Sequence, residues 1–224
     1  MHKYFLGILF YFFCVDSFAA KGSVIGPLEY QGFADSPFQG LAFDYFFLET
    51  FEDRLFNVPG VTATGSIQPI IATPENSPPG TVDSVEYGSS GITLFGGDGY
   101  SGITFEFDIQ VLEQLPTHVG IVWTDGRNSI RFDAFDSNGS LIGSIAGNHA
   151  DGTFFSSSAE DRFYGITHLD GISKFHISSG SGVGIEVDHL QYGFLSSQAV
   201  PEPTSMAIFG LGALGLAYRA RRRM

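Results

Sequence analysis

The sequence holds one cysteine in 224 residues, Cys14, which excludes an internal disulfide framework and any cysteine-based zinc site. Basic residues are also few, 11 against 24 acidic ones, for a formal net charge of −13. A chain of that sign offers little to a phosphate backbone, which argues against a nucleic-acid partner. No His-Glu-x-x-His pair marks a zinc hydrolase, and no Gly-x-Ser-x-Gly turn marks a serine nucleophile. Between residues 20 and 200 no window repeats its apolar residues every 3.6 positions, so a helical body is not expected. What is present is aromatic. Phe, Trp and Tyr make up 15% of the chain and charged residues only 16%, enough apolar side chain for one core of ordinary domain size.

The few basic residues are unevenly placed. Lys3 stands near the start, and Arg219, Arg221, Arg222 and Arg223 crowd the end. Between residues 20 and 200 there are six basic residues and 22 acidic ones, so the body carries a formal −16. Such asymmetry assigns the ends a different task from the middle.

Residues 1–19 begin with His2 and Lys3, run apolar from Tyr4 to Val15, and close on Ser17-Phe18-Ala19. That order is a secretory signal peptide, here a signal helix cut by signal peptidase before Ala20, and Cys14 leaves with it. At the other end, Val200-Pro201-Glu202-Pro203 leads into an uncharged stretch from Thr204 to Tyr218 and then the arginine cluster. As a single hydrophobic helix this stretch would span about 22 Å, short of a hydrocarbon core of about 30 Å. Snorkelling arginines and a thinned bilayer make a membrane span feasible, and the arginines would keep that end cytoplasmic.

This tail resembles the PEP-CTERM sorting signal of exopolysaccharide-producing Gram-negative bacteria, with Pro201, Glu202 and Pro203 as its motif and Arg219, Arg221, Arg222 and Arg223 as its basic end. The resemblance implies that an exosortase in the inner membrane recognises and removes the tail during export. The expected organisation is a signal peptide at 1–19, a β-sandwich domain at 20–197 and a sorting tail at 198–224. The expected route is export, transient anchoring in the inner membrane, then the cell surface or the extracellular polysaccharide matrix.

Short runs rich in Phe, Ile and Val, separated by Gly, Asn, Asp, Ser and Pro, read as strands. Ile103, Phe105, Phe107 and Ile109 alternate with Thr104, Glu106 and Asp108 as a half-buried strand, while His118 to Trp123 is apolar on both faces. Ile130–Ala134 alternates too, and Asn138-Gly139 turns it into a hairpin with Leu141–Ala146. Further strands are expected over Phe163–Ile166, Ile172–Ile177 and Val183–Tyr192. Ala63–Gly91, with four prolines, reads as a long surface loop with one short strand, and Asn148–Glu160 as a second polar loop. The fold class is all-β, an antiparallel, jelly-roll-like β-sandwich. The body also resembles the sandwich domains found upstream of this sorting tail, through Thr50-Phe51-Glu52-Asp53, through Phe132 to Gly139, and through Ile185-Glu186-Val187-Asp188-His189-Leu190.

In jelly rolls of the carbohydrate-binding type the first and last strands lie side by side, which would gather Glu52, Asp53 and Asp188 as ligands for a structural calcium ion. The alternative leaves Glu52 and Asp53 capping a turn and Asp188 on a backbone N–H. Glu106 and Asp108 would share one strand face about 7 Å apart, as paired carboxylates do in glycan hydrolases of the laminarinase type. Gln110 stands where that pattern needs a third carboxylate, and an amide cannot serve as a general acid or base. The five histidines of the body are scattered and are expected at strand ends. Tyr100 and Trp123 could stack on a sugar ring, although Trp123 alternates with Ile121 and Val119 and is expected in the core. The reading is therefore a non-enzymatic, exported surface or matrix protein, with exosortase, signal peptidase and extracellular polysaccharide as partners. A secreted carbohydrate-binding module and a glycan hydrolase are the competing classes.

Overall fold

The computed structural model describes residues 21–153, 155 and 160–195. The signal segment, Pro201-Glu202-Pro203 and the terminal arginines lie outside the described residues. Twelve strands occur among the described residues: β1 (Ser23–Glu29), β2 (Phe43–Glu49), β3 (Val61–Thr64), β4 (Ile70–Ala72), β5 (Thr93–Gly96), β6 (Ile103–Phe107), β7 (His118–Asp125), β8 (Ile130–Phe135), β9 (Leu141–Gly147), β10 (Arg162–Thr167), β11 (Lys174–Ser179) and β12 (Ile185–Leu195). One short α-helix, α1 (Ile109–Leu112), follows β6, and a 3-10 turn at Phe33–Asp35 precedes β2. No helix among the described residues is long and apolar enough to cross a membrane.

All strand pairs are antiparallel, and they form two sheets. The larger runs β1-β10-β7-β12-β5-β4, with β2 also pairing β12; the smaller runs β3-β6-β11-β8-β9. The expected two-sheet antiparallel sandwich is therefore what the chain forms. Between the sheets lies the main core, with Trp123, Phe105, Phe132, Tyr164, Phe175 and Tyr192 among its largest side chains. Phe175 stacks against Phe105 and Phe132 at ring separations of 4.8 and 5.2 Å.

The smaller sheet keeps the alternation expected of a sheet open to water on one side. In β8, Ile130, Phe132 and Ala134 are buried while Arg131 is exposed. Asp136 accepts hydrogen bonds from the Asn138 and Ser140 amides at 2.8 Å, and Gly139 takes the left-handed conformation (φ +77°) that the β8–β9 turn requires.

The larger sheet is covered on both faces. Every residue of β7 is buried. Outside it, Tyr30, Phe38, Val122 and Phe163 form a second apolar cluster, joined by Phe43, Phe46 and Val85. The Phe163 ring lies where a side chain on Gly120 would be: an added Cβ there would come within 2.2 Å of it. Strand β12 reaches this arrangement through a bulge. His189 has a φ of 46°, and pairing with β7 slips between Asp188 and Gln191. Ile185 and Val187 therefore face the main core before the slip, and Leu190 and Tyr192 after it. His189 is turned to the outer layer, where it hydrogen-bonds the Tyr30 hydroxyl at 2.9 Å.

Several sequence expectations change here. Strand β6 stops at Phe107, because the Asp108 carboxylate accepts from the Gln110 amide at 2.8 Å and starts α1. The Ala63–Gly91 segment holds β4, as expected, but Val82, Asp83 and Ser84 are buried, so it is not a surface loop throughout. His176 and His189 lie inside strands and not at their ends.

Candidate functional site

A cavity of about 450 Å³ opens at one end of the sandwich. Four segments build it: Ile70 and Ala72 from β4, Phe95 from β5, the loop carrying Asn76, Ser77, Pro78 and Thr81, and the approach to β12 at Val183 and Gly184. Its polar floor is Asp125, the last residue of β7, and Glu186 in β12, which stand directly opposite each other in the strand register. The volume falls within the roughly 300–1,000 Å³ of small-molecule sites, and apolar walls with a few convergent polar groups are their usual make-up.

Behind this floor the chain buries further acids. Asp83 follows the cavity loop, and Glu160 and Asp161 precede β10. Glu186 Oε2 accepts hydrogen bonds from the Asp83 amide at 2.8 Å and from Thr93 Oγ1 at 3.0 Å. Glu160 Oε2 accepts from the Asp151 amide at 2.7 Å. Buried oxygens Asp83 Oδ2, Asp125 Oδ1 and Glu160 Oε1 receive no donor from an amide, hydroxyl or basic side chain.

Burial disfavours the charged form of each group, and for Asp83, Asp125 and Asp161 the neighbouring carboxylates add to the effect. Asp125 is pushed up to about 8 by desolvation and by Glu186 and Glu160; Asp83 rises to about 8 by desolvation, Asp161 and Asp125. Glu186 rises to about 7, chiefly by desolvation, against the hydrogen bonds from Asp83 and Thr93. Asp161 rises to about 7 by desolvation and Glu160, partly offset by Arg162. This end of the sandwich therefore holds protons near neutrality that ordinary carboxyls would have released.

The residues singled out in the sequence go elsewhere. Glu52 Oε1 accepts from Ser84 Oγ and the Ile92 amide at 2.9 and 3.0 Å. Asp53 serves its own turn, through the Leu55 amide and the Asn57 side chain. Asp188 accepts from the Val85 and His189 amides. Glu52 and Asp188 are near enough that the charge of one raises the other, because β2 lies beside β12; β1 pairs β10 instead. With Asp53 turned to its own loop, the three do not fit a calcium shell of six to eight oxygens. Among the described residues no group of three or more His, Cys, Asp or Glu is arranged to hold a metal ion.

Glu106 and Asp108 do not share a strand face. Glu106 is exposed in the smaller sheet, opposite Lys174, and exposed Asp108 caps α1; neither lines the cavity. Trp123 is buried in the core and Tyr100 is exposed in a turn. Asp125, Glu186 and Phe95 were missed. Glu186 lies inside the Ile185–Leu190 piece that carried the sandwich resemblance, yet nothing in its spacing ties it to Asp125, 61 positions earlier.

Comparison with solved structures finds sandwiches similar to this one. The tandem CBM22-1–CBM22-2 domain of Paenibacillus barcinonensis Xyn10C matches at 15% identity and a TM-score of 0.43, covering 74% of this chain and 50% of that one. This chain thus spans half of that fragment. The CBM22-1 xylan-binding domain of the same protein matches at 15% identity and a TM-score of 0.42, covering 70% and 97% of the two chains. The CBM22-1–GH10 modules of Clostridium thermocellum Xyn10B, complexed with xylohexaose, match at 11% identity and a TM-score of 0.35, covering 66% and 28%. No curated protein matches the chain. At the C-terminus, residues 199–223 match the PEP-CTERM protein-sorting motif, which includes Pro201-Glu202-Pro203 and reaches Arg223. The chain carries a PEP-CTERM sorting motif, the mark of an exported protein that is processed by exosortase and sorted to the cell surface.

Proposed function

We propose that the protein is a non-catalytic glycan-binding sandwich, held at the cell surface or in the extracellular polysaccharide matrix. A signal peptide at 1–19 starts its export. The Thr204–Tyr218 stretch anchors it transiently in the inner membrane with the arginines in the cytoplasm, and exosortase then releases the body. The observation that carries the binding role is the cavity. Phe95, Ile70 and Pro78 offer apolar contact to the C–H faces of a sugar ring, while Asn76, Ser77, Thr81, Asp125 and Glu186 offer hydrogen bonds.

A hydrolase reading would fall on Asp125 and Glu186, which face each other on the cavity floor, and not on Glu106 and Asp108. Such an enzyme divides acid and base between two carboxyls whose environments push their pKa values apart. Here both are pushed the same way, to about 8 and about 7, which favours binding over hydrolysis. Titration calorimetry of the secreted, processed protein against oligosaccharides tests the role. Saturable binding without release of reducing ends supports it; reducing ends lost on Asp125→Asn would establish the hydrolase, and no saccharide bound would remove the glycan role.

A further inference from the structure

Resting on the glycan-binding reading of this cavity, we infer that the sugar it takes carries a free amine: an unacetylated hexosamine residue, with its ammonium group seated between Asp125 and Glu186. The walls are apolar or neutral, and no Lys, Arg or His stands among the lining residues, so the only formal charges there are the two carboxyls. An anionic sugar would meet repulsion with no cation to offset it. A neutral sugar would leave both carboxyls to be kept uncharged by protons alone.

The buried polar atoms point the same way. Asp125 is 5% exposed and Glu186 6%, yet both line the cavity. Asp125 Oδ1 is buried without a hydrogen-bond partner. The two protein donors on Glu186 both go to Oε2. An ammonium group brings a unit positive charge and three N–H donors, which is what two such carboxyls lack. Asp83, Glu160 and Asp161 lie behind the floor, where Glu160 acts on Asp125, and Asp161 and Asp125 act on Asp83, each opposing its neighbour's ionisation. Arg162 offsets Glu160 and Asp161, but it reaches outward to Glu29 at 3.7 Å and is no part of the cavity wall. In a site screened from water these charges act far more strongly than on the surface. A metal ion is the other candidate cation, and among the described residues no group of three ligands is arranged for one.

Binding must also move protons. Asp125 and Glu186 hold protons near neutral pH in the empty cavity, and an arriving ammonium favours their ionised forms, so protons pass to the solvent. Calorimetry at pH 7, in two buffers of different ionisation enthalpy, reads this directly. The ligands are a glucosamine tetrasaccharide, its N-acetylated counterpart, a neutral glucose tetrasaccharide and tetralysine. The expected result is binding of the amino sugar at least tenfold tighter than the other three, with a buffer-dependent enthalpy that shows proton release. Asp125→Asn and Glu186→Gln should each weaken amino-sugar binding at least tenfold, with thermal melting as the check on folding. Equal affinity for neutral or acetylated sugars overturns the amine while leaving the glycan role in place. Equal affinity for tetralysine overturns it too, as attraction to an acidic surface. No saccharide bound at all overturns both. If neither variant folds, the comparison of ligands on the unmodified protein still decides.

Discussion

The two sheets treat their outer faces in opposite ways. On the smaller sheet Glu106 and Arg131 stand exposed: Lys174, opposite Glu106, sits 5.2 Å over the Phe135 ring, and Arg131 Nε pairs the half-buried Asp133 at 2.6 Å. On the larger sheet the same geometric side is sealed by Tyr30, Phe38, Phe43 and Phe46 and by the loop through Val85. Glu106 on the first is solvated strand decoration. At the end of the second, acids lose water, hold protons and line a cavity. An identical side-chain type thus takes a structural or a chemical role according to what the chain lays over its sheet.

The strongest test of that contrast replaces the same residue on both sides. Phe163 is fully buried outside the larger sheet, whereas Phe135 is half-buried outside the smaller one. Phe163→Ala is expected to cost about 3–5 kcal/mol through lost burial and the cavity left behind. Phe135→Ala should cost about 1 kcal/mol or less, since it loses partial burial and a cation–π contact to Lys174. Urea denaturation of both variants measures the difference, and similar losses would break the comparison.

The acids give the next effect, through pH. Asp125 has its folded pKa raised above the unfolded value of 3.8 to about 8, so its contribution to stability is fully present below pH 3.8 and lost as pH rises toward 8. Asp83, Asp161 and Glu186 shift the same way. The protein should therefore lose stability between pH 5 and pH 8, by up to about 1.4 kcal/mol per pH unit for each proton retained. Asp125→Asn should make that fall shallower by about 1 kcal/mol per unit, with coupling to Glu186 and Glu160 reducing the full value. Denaturation midpoints across pH 5–8 check this; a parallel slope would show that Asp125 does not hold its proton.

A smaller effect separates the two roles considered for Asp108. As the N-cap of α1 it should cost about 1 kcal/mol when replaced by alanine, with serine restoring most of the loss. Saccharide affinity should not change. A reduced affinity at full stability would return Asp108 to the functional site.

Legibility in the sequence follows the same division between sheets. Ile130–Ala134, Asn138-Gly139 and Leu141–Ala146 could be read because one face is wet, and alternation survives only where water touches a sheet. His118–Trp123 was readable as buried on both sides because it is uninterrupted and apolar. The outer cover was not. Ser23–Glu29 and Phe43–Glu49 carry no clean alternation, since β1 presents mostly exposed residues and β2 is half-buried over most of its length. The β12 bulge reverses which residues face the core midway along one strand, and nothing local announces it. The cavity was illegible for a related reason. It joins Asp125 and Glu186 through a register that long-range pairing sets, beneath a proline-rich segment whose burial rests on Val82, Asp83 and Ser84 and not on large apolar side chains.

The smallest expected effect is also the control for the largest claim about the acids. Glu106 stands opposite Lys174 on one side and Thr62 on the other, and is exposed. Exposed charges contribute within about 0.5 kcal/mol, because water replaces whatever a neighbour supplies. Glu106→Gln should leave both the denaturation midpoint and saccharide affinity unchanged. Glu186→Gln makes the same chemical change in the covered sheet, where Glu186 bonds the Asp83 amide and Thr93. There the amide must keep both donors satisfied and takes away the charge an ammonium would meet, so affinity falls while Glu106→Gln stays silent. Were the pair to behave alike, the cover over the larger sheet would not be what gives its acids their chemistry. A silent Glu106→Gln beside an affected Glu186→Gln would trace the difference to burial, the one property in which the two glutamates' positions most differ.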